Sequence, residues 1–75
     1  MVAIQIPKLG VAMTEGTLVE WAVTDGEAVG VGQILYRLET DKVENEVESP
    51  AAGTIRLVAA AGETYPVGTV IAEIG

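Results

Sequence analysis

Residues 16–39 (GTLVEWAVTDGEAVGVGQILYRLE) and 53–75 (GTIRLVAAAGETYPVGTVIAEIG) are two versions of one pattern, brought into line by a single gap. Gly16-Thr17 meets Gly53-Thr54, Gly26-Glu27 meets Gly62-Glu63, and Val31-Gly32 meets Val67-Gly68. The apolar positions follow: Leu18 with Ile55, Ile34 with Val70, Leu35 with Ile71, Leu38 with Ile74. A half-domain of this length has an apolar face and nothing of its own to cover it, so the halves must pack on each other about a pseudo-two-fold axis. Within each half there is no helical period. Short runs rich in Val, Ile and Thr alternate with glycine-bearing turns, the pattern of all-β sandwiches and barrels. The predicted strands are 2–6, 16–23, 33–39, 43–49, 53–59 and 69–74, with shorter pieces near 28–30 and 63–66. The expected fold class is all-β, a flattened barrel or sandwich of two antiparallel sheets, with residues 1–75 as one domain.

Two details sharpen this expectation. In VENEVES the residues Val43, Asn45 and Val47 alternate with Glu44, Glu46 and Glu48, so one face should meet a core and the other water. Gly26, Gly32, Gly53, Gly62 and Gly68 fall where strands turn, as positions needing positive φ or close packing do. The two-fold relation also separates the ends of the molecule. The first half runs from Glu39 into Thr40-Asp41-Lys42-Val43, while the second stops at the chain terminus, so this turn and the chain ends should lie at opposite ends.

Composition removes whole classes of function. The chain of 75 residues has no cysteine and no histidine. It therefore lacks a disulfide, a thiolate nucleophile, and the usual base and metal ligand near neutral pH. A catalytic role of its own is not expected. A domain this small buries only roughly 60% of its unfolded surface, and with no phenylalanine its core must be aliphatic, helped by Trp21, Tyr36 and Tyr65. The net charge of −7, with four cations in all, argues against nucleic acid and against anionic membranes. The segment MVAIQIPKLG has neither the basic start nor the apolar run of a signal peptide. Expected localisation is the bacterial cytoplasm, or the mitochondrial matrix for a domain cut from a longer chain.

Among the motifs, the acidic residues Glu39, Asp41, Glu44, Glu46 and Glu48 read as a solvated strand face. Ca²⁺ wants six to eight oxygens converging on one point, and alternating glutamates spread along a line. GVGQIL lacks the third glycine and the helix of a dinucleotide site. Trp21 reads as a core or half-buried residue. Residues 7–16 (PKLGVAMTEG) are too long for a tight hairpin and place Leu9, Val11 and Met13 in a loop, which is either a partner surface or a cap folded back on the sandwich. Lys42, on charge alone, is an ordinary solvated cation. Three local features weigh against that: the turn is short, its residues are not the Asn-Gly or Asp-Gly of tight hairpins, and Arg37 and Arg56 lie on strands elsewhere.

ETDKVENEVESPAAGTI (39–55) resembles the modification-site segment of lipoyl domains, the carrier modules of 2-oxo acid dehydrogenase complexes. PKLGVAMTEGTLVEW resembles that family's first loop and second strand, and DGEAVGVGQILYRLETDK its approach to the modified lysine. Glu39-Thr40-Asp41-Lys42, Ser49-Pro50 and Gly53 fall where the family has them. Val43 departs mildly from the alanine common there. The resemblance implies lipoic acid in amide linkage to Lys42. Its implied partners are a lipoate-attaching enzyme, a thiamine-diphosphate-dependent 2-oxo acid decarboxylase, an acyltransferase and a flavin dihydrolipoamide dehydrogenase, with the isolated domain monomeric. It further implies that Glu39, Gly26 and Gly53 help the attaching enzyme recognise the domain. It makes Lys8, Leu9, Gly10, Val11, Ala12, Met13 and Thr14 a loop read by the decarboxylase. The alternatives are a biotin carrier, the longer glycine-cleavage carrier and an unmodified interaction module. Biotin carriers have methionine on both sides of the lysine. Here Asp41 and Val43 flank it, which separates a lipoyl site from a biotinyl one.

Overall fold

The computed structural model describes residues 1–40 and 43–75. Eight strands follow in chain order: β1 (Val2–Gln5), β2 (Glu15–Trp21), β3 (Ala28–Val29), β4 (Ile34–Thr40), β5 (Val43–Glu48), β6 (Gly53–Leu57), β7 (Glu63–Pro66) and β8 (Val70–Ile74). All pairings are antiparallel, in two four-stranded sheets ordered β1-β8-β6-β3 and β5-β4-β2-β7. The sheets stay separate, so the fold is a flattened sandwich and not a closed barrel. Each strand expected from the sequence is present. Those drawn through residues 23 and 59 stop earlier, where the Leu57 N–H turns to the Asp25 carboxylate at 2.8 Å.

The duplication governs the pairing. One sheet becomes the other when β1 is exchanged for β5, β8 for β4, β6 for β2 and β3 for β7. Leu18 opposes Leu38 as Ile55 opposes Ile74, and Trp21 opposes Tyr36 as Leu57 opposes Ala72. The gap needed to align the halves falls at a β-bulge between Leu18 and Glu20, where Val19 is the extra residue. Beyond it Glu20 opposes Arg37, while its twin pair reverses the charges, Arg56 opposing Glu73.

The core follows from the same symmetry. Leu18, Ile55, Leu35, Ile71, Leu38 and Ile74 are all at most 1% exposed and join the two inner faces. Burying aliphatic side chains of this size stabilises by about 1.5–3 kcal/mol each. Turn hydrogen bonds repeat too: the Gly26 N–H donates to the Ile55 carbonyl at 2.8 Å, and the Gly62 N–H to the Leu18 carbonyl at 2.6 Å. Both glycines have left-handed φ, 87° and 89°, which explains the residue type at these turns.

Symmetry fails at one connection. From Pro50 the chain reaches Gly53 in three steps, whereas from Pro7 it takes nine to reach Gly16. The second half shows that the fold itself needs only the short version. Residues 8–13 are therefore an insertion.

Candidate functional site

β4 and β5 form a hairpin whose pairs run from Ile34 opposite Glu48 to Thr40 opposite Val43. The segment joining that last pair is Asp41-Lys42. Both residues lie outside the described part of the structure, so the expectations placed on them are carried by the hairpin that brackets them. Glu39 is exposed and stands opposite Glu44. The acidic face expected of β5 is present, since Glu44, Glu46 and Glu48 are all exposed. Arg37 holds part of that face in order by pairing with Glu20 and, at 3.5 Å, with Glu44. Among the described residues, no group of three or more acidic side chains could hold a metal ion.

The other face of β5 is drier towards its C-terminal end. Val47 packs against the core and Asn45 is half-buried, but Val43 is 55% exposed. The sequence pattern placed Val43 on the core side. Val43 begins an edge strand at the end of the hairpin, so nothing from the opposite sheet covers it.

The inserted loop has two characters. Its far end is fastened: Met13 packs against the core and fits over Gly16, where a Cβ would lie 3.1 Å from the Met13 methyl and 2.9 Å from Leu38 Cδ1. The Met13 N–H donates to the Gly10 carbonyl at 3.1 Å, the Leu9 N–H to Met13 Sδ at 3.2 Å, and the Val67 N–H to the Thr14 carbonyl at 3.0 Å. Its near end is open, with Leu9 50% and Val11 97% exposed. The loop is thus a cap at Met13 and leaves apolar surface exposed at Leu9 and Val11. Between loop and hairpin lies a hollow of about 560 Å³, lined by residues 9–13 with Thr40, Val43 and Asn45.

Gly26 and Gly53 are elsewhere. Gly26 shares a hollow with Met1 and Gly75, and a Cβ on Gly53 would lie 2.9 Å from Ile74 Cγ2 and 3.1 Å from the Gly75 carbonyl oxygen. Beside the chain ends both have conformational work, φ being 87° and 154°. The structure groups residues 9–13 with the hairpin but not these glycines. The hollow itself, and the part Thr40 and Asn45 take in it, escaped the sequence reading. The excess length of the first Pro-to-Gly connection over the second was the available signal.

Trp21 is half-buried, donates its indole N–H to the Ala59 carbonyl at 3.0 Å and meets Tyr36 edge-on, with ring centroids 5.3 Å apart. It is a packing residue, not a ligand platform.

A rigid, duplicated β-sandwich that ends in a short hairpin beside a loop the fold does not require is the form of a carrier module. A family model covering biotin- and lipoyl-bearing domains, described as "Biotin-requiring enzyme", matches residues 2–74. The chain is 44% identical over 73 residues to the dihydrolipoyllysine acetyltransferase component of the pyruvate dehydrogenase complex of Corynebacterium glutamicum, covering 96% of this chain and 11% of that protein. It is 42% identical to the succinyltransferase component of the 2-oxoglutarate dehydrogenase complex of Staphylococcus saprophyticus, covering 100% and 18%. It is 46% identical to the acetyltransferase component of the acetoin cleaving system of Cupriavidus necator, covering 89% and 18%. The solution structure of the lipoyl domain of the Azotobacter vinelandii 2-oxoglutarate dehydrogenase complex superposes with a TM-score of 0.83 at 30% identity, covering 100% of this chain and 96% of that one. The chain belongs to the biotin/lipoyl carrier family, as one of its lipoyl domains. It spans less than a fifth of the length of these acyltransferase relatives. Lipoyl domains carry lipoic acid covalently on a lysine and are carriers, not catalysts.

Proposed function

We propose that Lys42 is the attachment point and that residues 1–75 act as one carrier unit of a 2-oxo acid dehydrogenase complex. The domain would move acyl groups and reducing equivalents between the decarboxylase, acyltransferase and flavin dehydrogenase sites. The observation that carries this reading is the Thr40–Val43 pair closing the hairpin, with Asp41-Lys42 as the segment between. Lipoic acid supplies a cyclic disulfide that can be reduced and acylated, chemistry that belongs to the cofactor. The chain's own part is address and presentation.

The residues present suit that group. The ladder of β4 and β5 holds both strands leading to the attachment point, and core contacts of Leu35, Leu38 and Val47 hold the ladder. The exposed Glu39 and Glu44 mark the same end of the hairpin and, with Asp41 and Val43, would tell the attaching enzyme where to act. Residues 8–14 would be read by the decarboxylase, since Leu9 and Val11 offer apolar surface that the sandwich does not use. Gly26 and Gly53 would act through the shape of the domain. The relatives are bacterial, which suits a cytoplasmic setting.

The test is intact-mass analysis of the domain treated with a lipoate-attaching enzyme and, separately, with a biotin-attaching one. A lipoyl increment located on Lys42, absent from Lys42→Arg, is expected. A biotinyl increment on Lys42, or lipoylation that persists in Lys42→Arg, would refute the assignment.

A further inference from the structure

We infer that the hollow between residues 9–13 and the hairpin is a docking site for the dithiolane end of the arm carried by the same domain, which makes the loop a resting place for the arm as well as a surface for partners. The inference rests on the lipoyl-carrier reading of Lys42.

Position comes first. Thr40 and Val43, the described residues on either side of the attachment segment, both line the hollow. A group anchored between them is tethered at the rim. A short flexible tether gives an effective concentration in the millimolar range, so a site too weak to bind the free group still holds the attached one.

Chemistry comes second. The hairpin end of the domain is acidic, with Glu39 and Glu44 exposed. Yet among the described residues no ionisable side chain lines the hollow: its wall is Leu9, Val11, Ala12, Met13 and Val43, with Thr40 and Asn45 as polar rim and Gly10 giving backbone. The group it would take is a small, uncharged ring with two sulfurs. Thioether and aliphatic carbon are suitable neighbours for it, since both are soft and polarisable. About 560 Å³ lies within the roughly 300–1,000 Å³ of small-molecule sites.

Economy of the fold comes third. Pro50-Ala51-Ala52-Gly53 shows the same connection made without a loop. The extra residues are fastened at Met13 by contacts with Gly16 and with the Leu9 amide, and they leave Leu9 and Val11 uncovered on the side facing solvent. A loop with one anchored sulfur and two free aliphatic side chains is held ready for an apolar guest.

The experiment compares ¹⁵N- and methyl-labelled domain, unmodified and lipoylated, by NMR, with modification verified by mass. Lipoylation is expected to shift the amides of residues 9–13 and Asn45. It should also give nuclear Overhauser contacts from dithiolane protons to the Val11 and Val43 methyls. Leu9→Ser with Val11→Ser removes exposed groups, and the docked population should fall about ten-fold. If that double variant unfolds, the contacts in the wild-type domain still decide the matter. Lipoylated domain whose changes stop at residues 41–43, without contacts to the loop methyls, overturns the inference and leaves the carrier reading standing. Domain that never gains a lipoyl increment overturns both.

Discussion

Tyr36→Phe should stabilise this domain, and the benefit should grow with pH. Tyr36 is 0% exposed, on β4 between the sheets, and its hydroxyl has no hydrogen-bond partner among the described residues. A buried hydroxyl left unpaired costs about 1–3 kcal/mol. Phenylalanine keeps the ring, including its edge contact with Trp21, and removes that cost. A gain of about 1 kcal/mol at neutral pH is expected, the low end allowing for small readjustment. For a chain with an m-value of about 1 kcal/mol/M, that moves the urea midpoint up by about 1 M.

The pH arm has a definite sign. Burial pushes the Tyr36 phenol up from 10.0 to about 12. Below pH 10 the residue is neutral whether folded or unfolded and has no pH dependence. Between pH 10 and about 12 the unfolded chain ionises and the folded one does not. Wild-type stability therefore falls by about 1.4 kcal/mol per pH unit, on the order of 2.7 kcal/mol by pH 12. Other groups that ionise at high pH are common to both proteins and cancel in the difference. Urea denaturation of both, followed by the single tryptophan at pH 7, 9, 10, 11 and 11.5, gives that difference directly. A Tyr36→Phe domain that is less stable at pH 7, or a difference flat from pH 9 to 11.5, would mean that the hydroxyl is satisfied and the reasoning wrong.

Gly53→Ala should destabilise by about 1–3 kcal/mol, because its φ is 154° and the new Cβ would lie 2.9 Å from Ile74 Cγ2; Gly10→Ala, with nothing within 4 Å, should be close to neutral by the same urea denaturation. If Gly53 acts through shape, the folded Gly53→Ala domain should be lipoylated at close to the wild-type rate, and a loss exceeding its unfolded fraction would restore a recognition role. Replacing residues 8–15 by Ala-Ala, the length of the second connection, should preserve the sandwich by circular dichroism. Lipoylation should persist while reductive acylation by the cognate decarboxylase falls, and equal losses in both would count against a dedicated loop. Leu35→Ala should cost about 2–5 kcal/mol, and Ile71→Ala a similar amount, since the two occupy twin positions in the core.

The strands were legible because the halves repeat: Leu18 with Ile55 and Leu35 with Ile71 mark the same inner positions twice, so one half checks the other. Val19 was not legible as a bulge, since an alignment gap shows that a residue is extra without showing which one leaves the ladder. Val43 misled because alternation names a face but not whether another sheet covers it, and the end of an edge strand is uncovered. The hollow was invisible for a related reason: Leu9 and Asn45 meet only through the path of a loop that has no period to read. Lys42 was the opposite case. Its neighbours gave hints, but the chemistry assigned to it resides in a group the chain does not encode, and it became readable only through resemblance of the segment around it.

What separates the two halves is therefore more informative about function than what they share. Shared positions such as Leu38 and Ile74, or Gly26 and Gly62, answer to packing and turn geometry in both copies. Three departures stand out: the insertion at 8–13, the Trp21–Tyr36 pair where the twin has Leu57 and Ala72, and a hairpin where the twin has chain ends. The aromatic pair packs β2 against β4, and β4 runs on into the hairpin. The insertion and the hairpin share one hollow. In a fold whose symmetry would make both ends alike, the insertion and the hairpin converge on one of them. The other end keeps the chain termini, with Met1 beside Gly75.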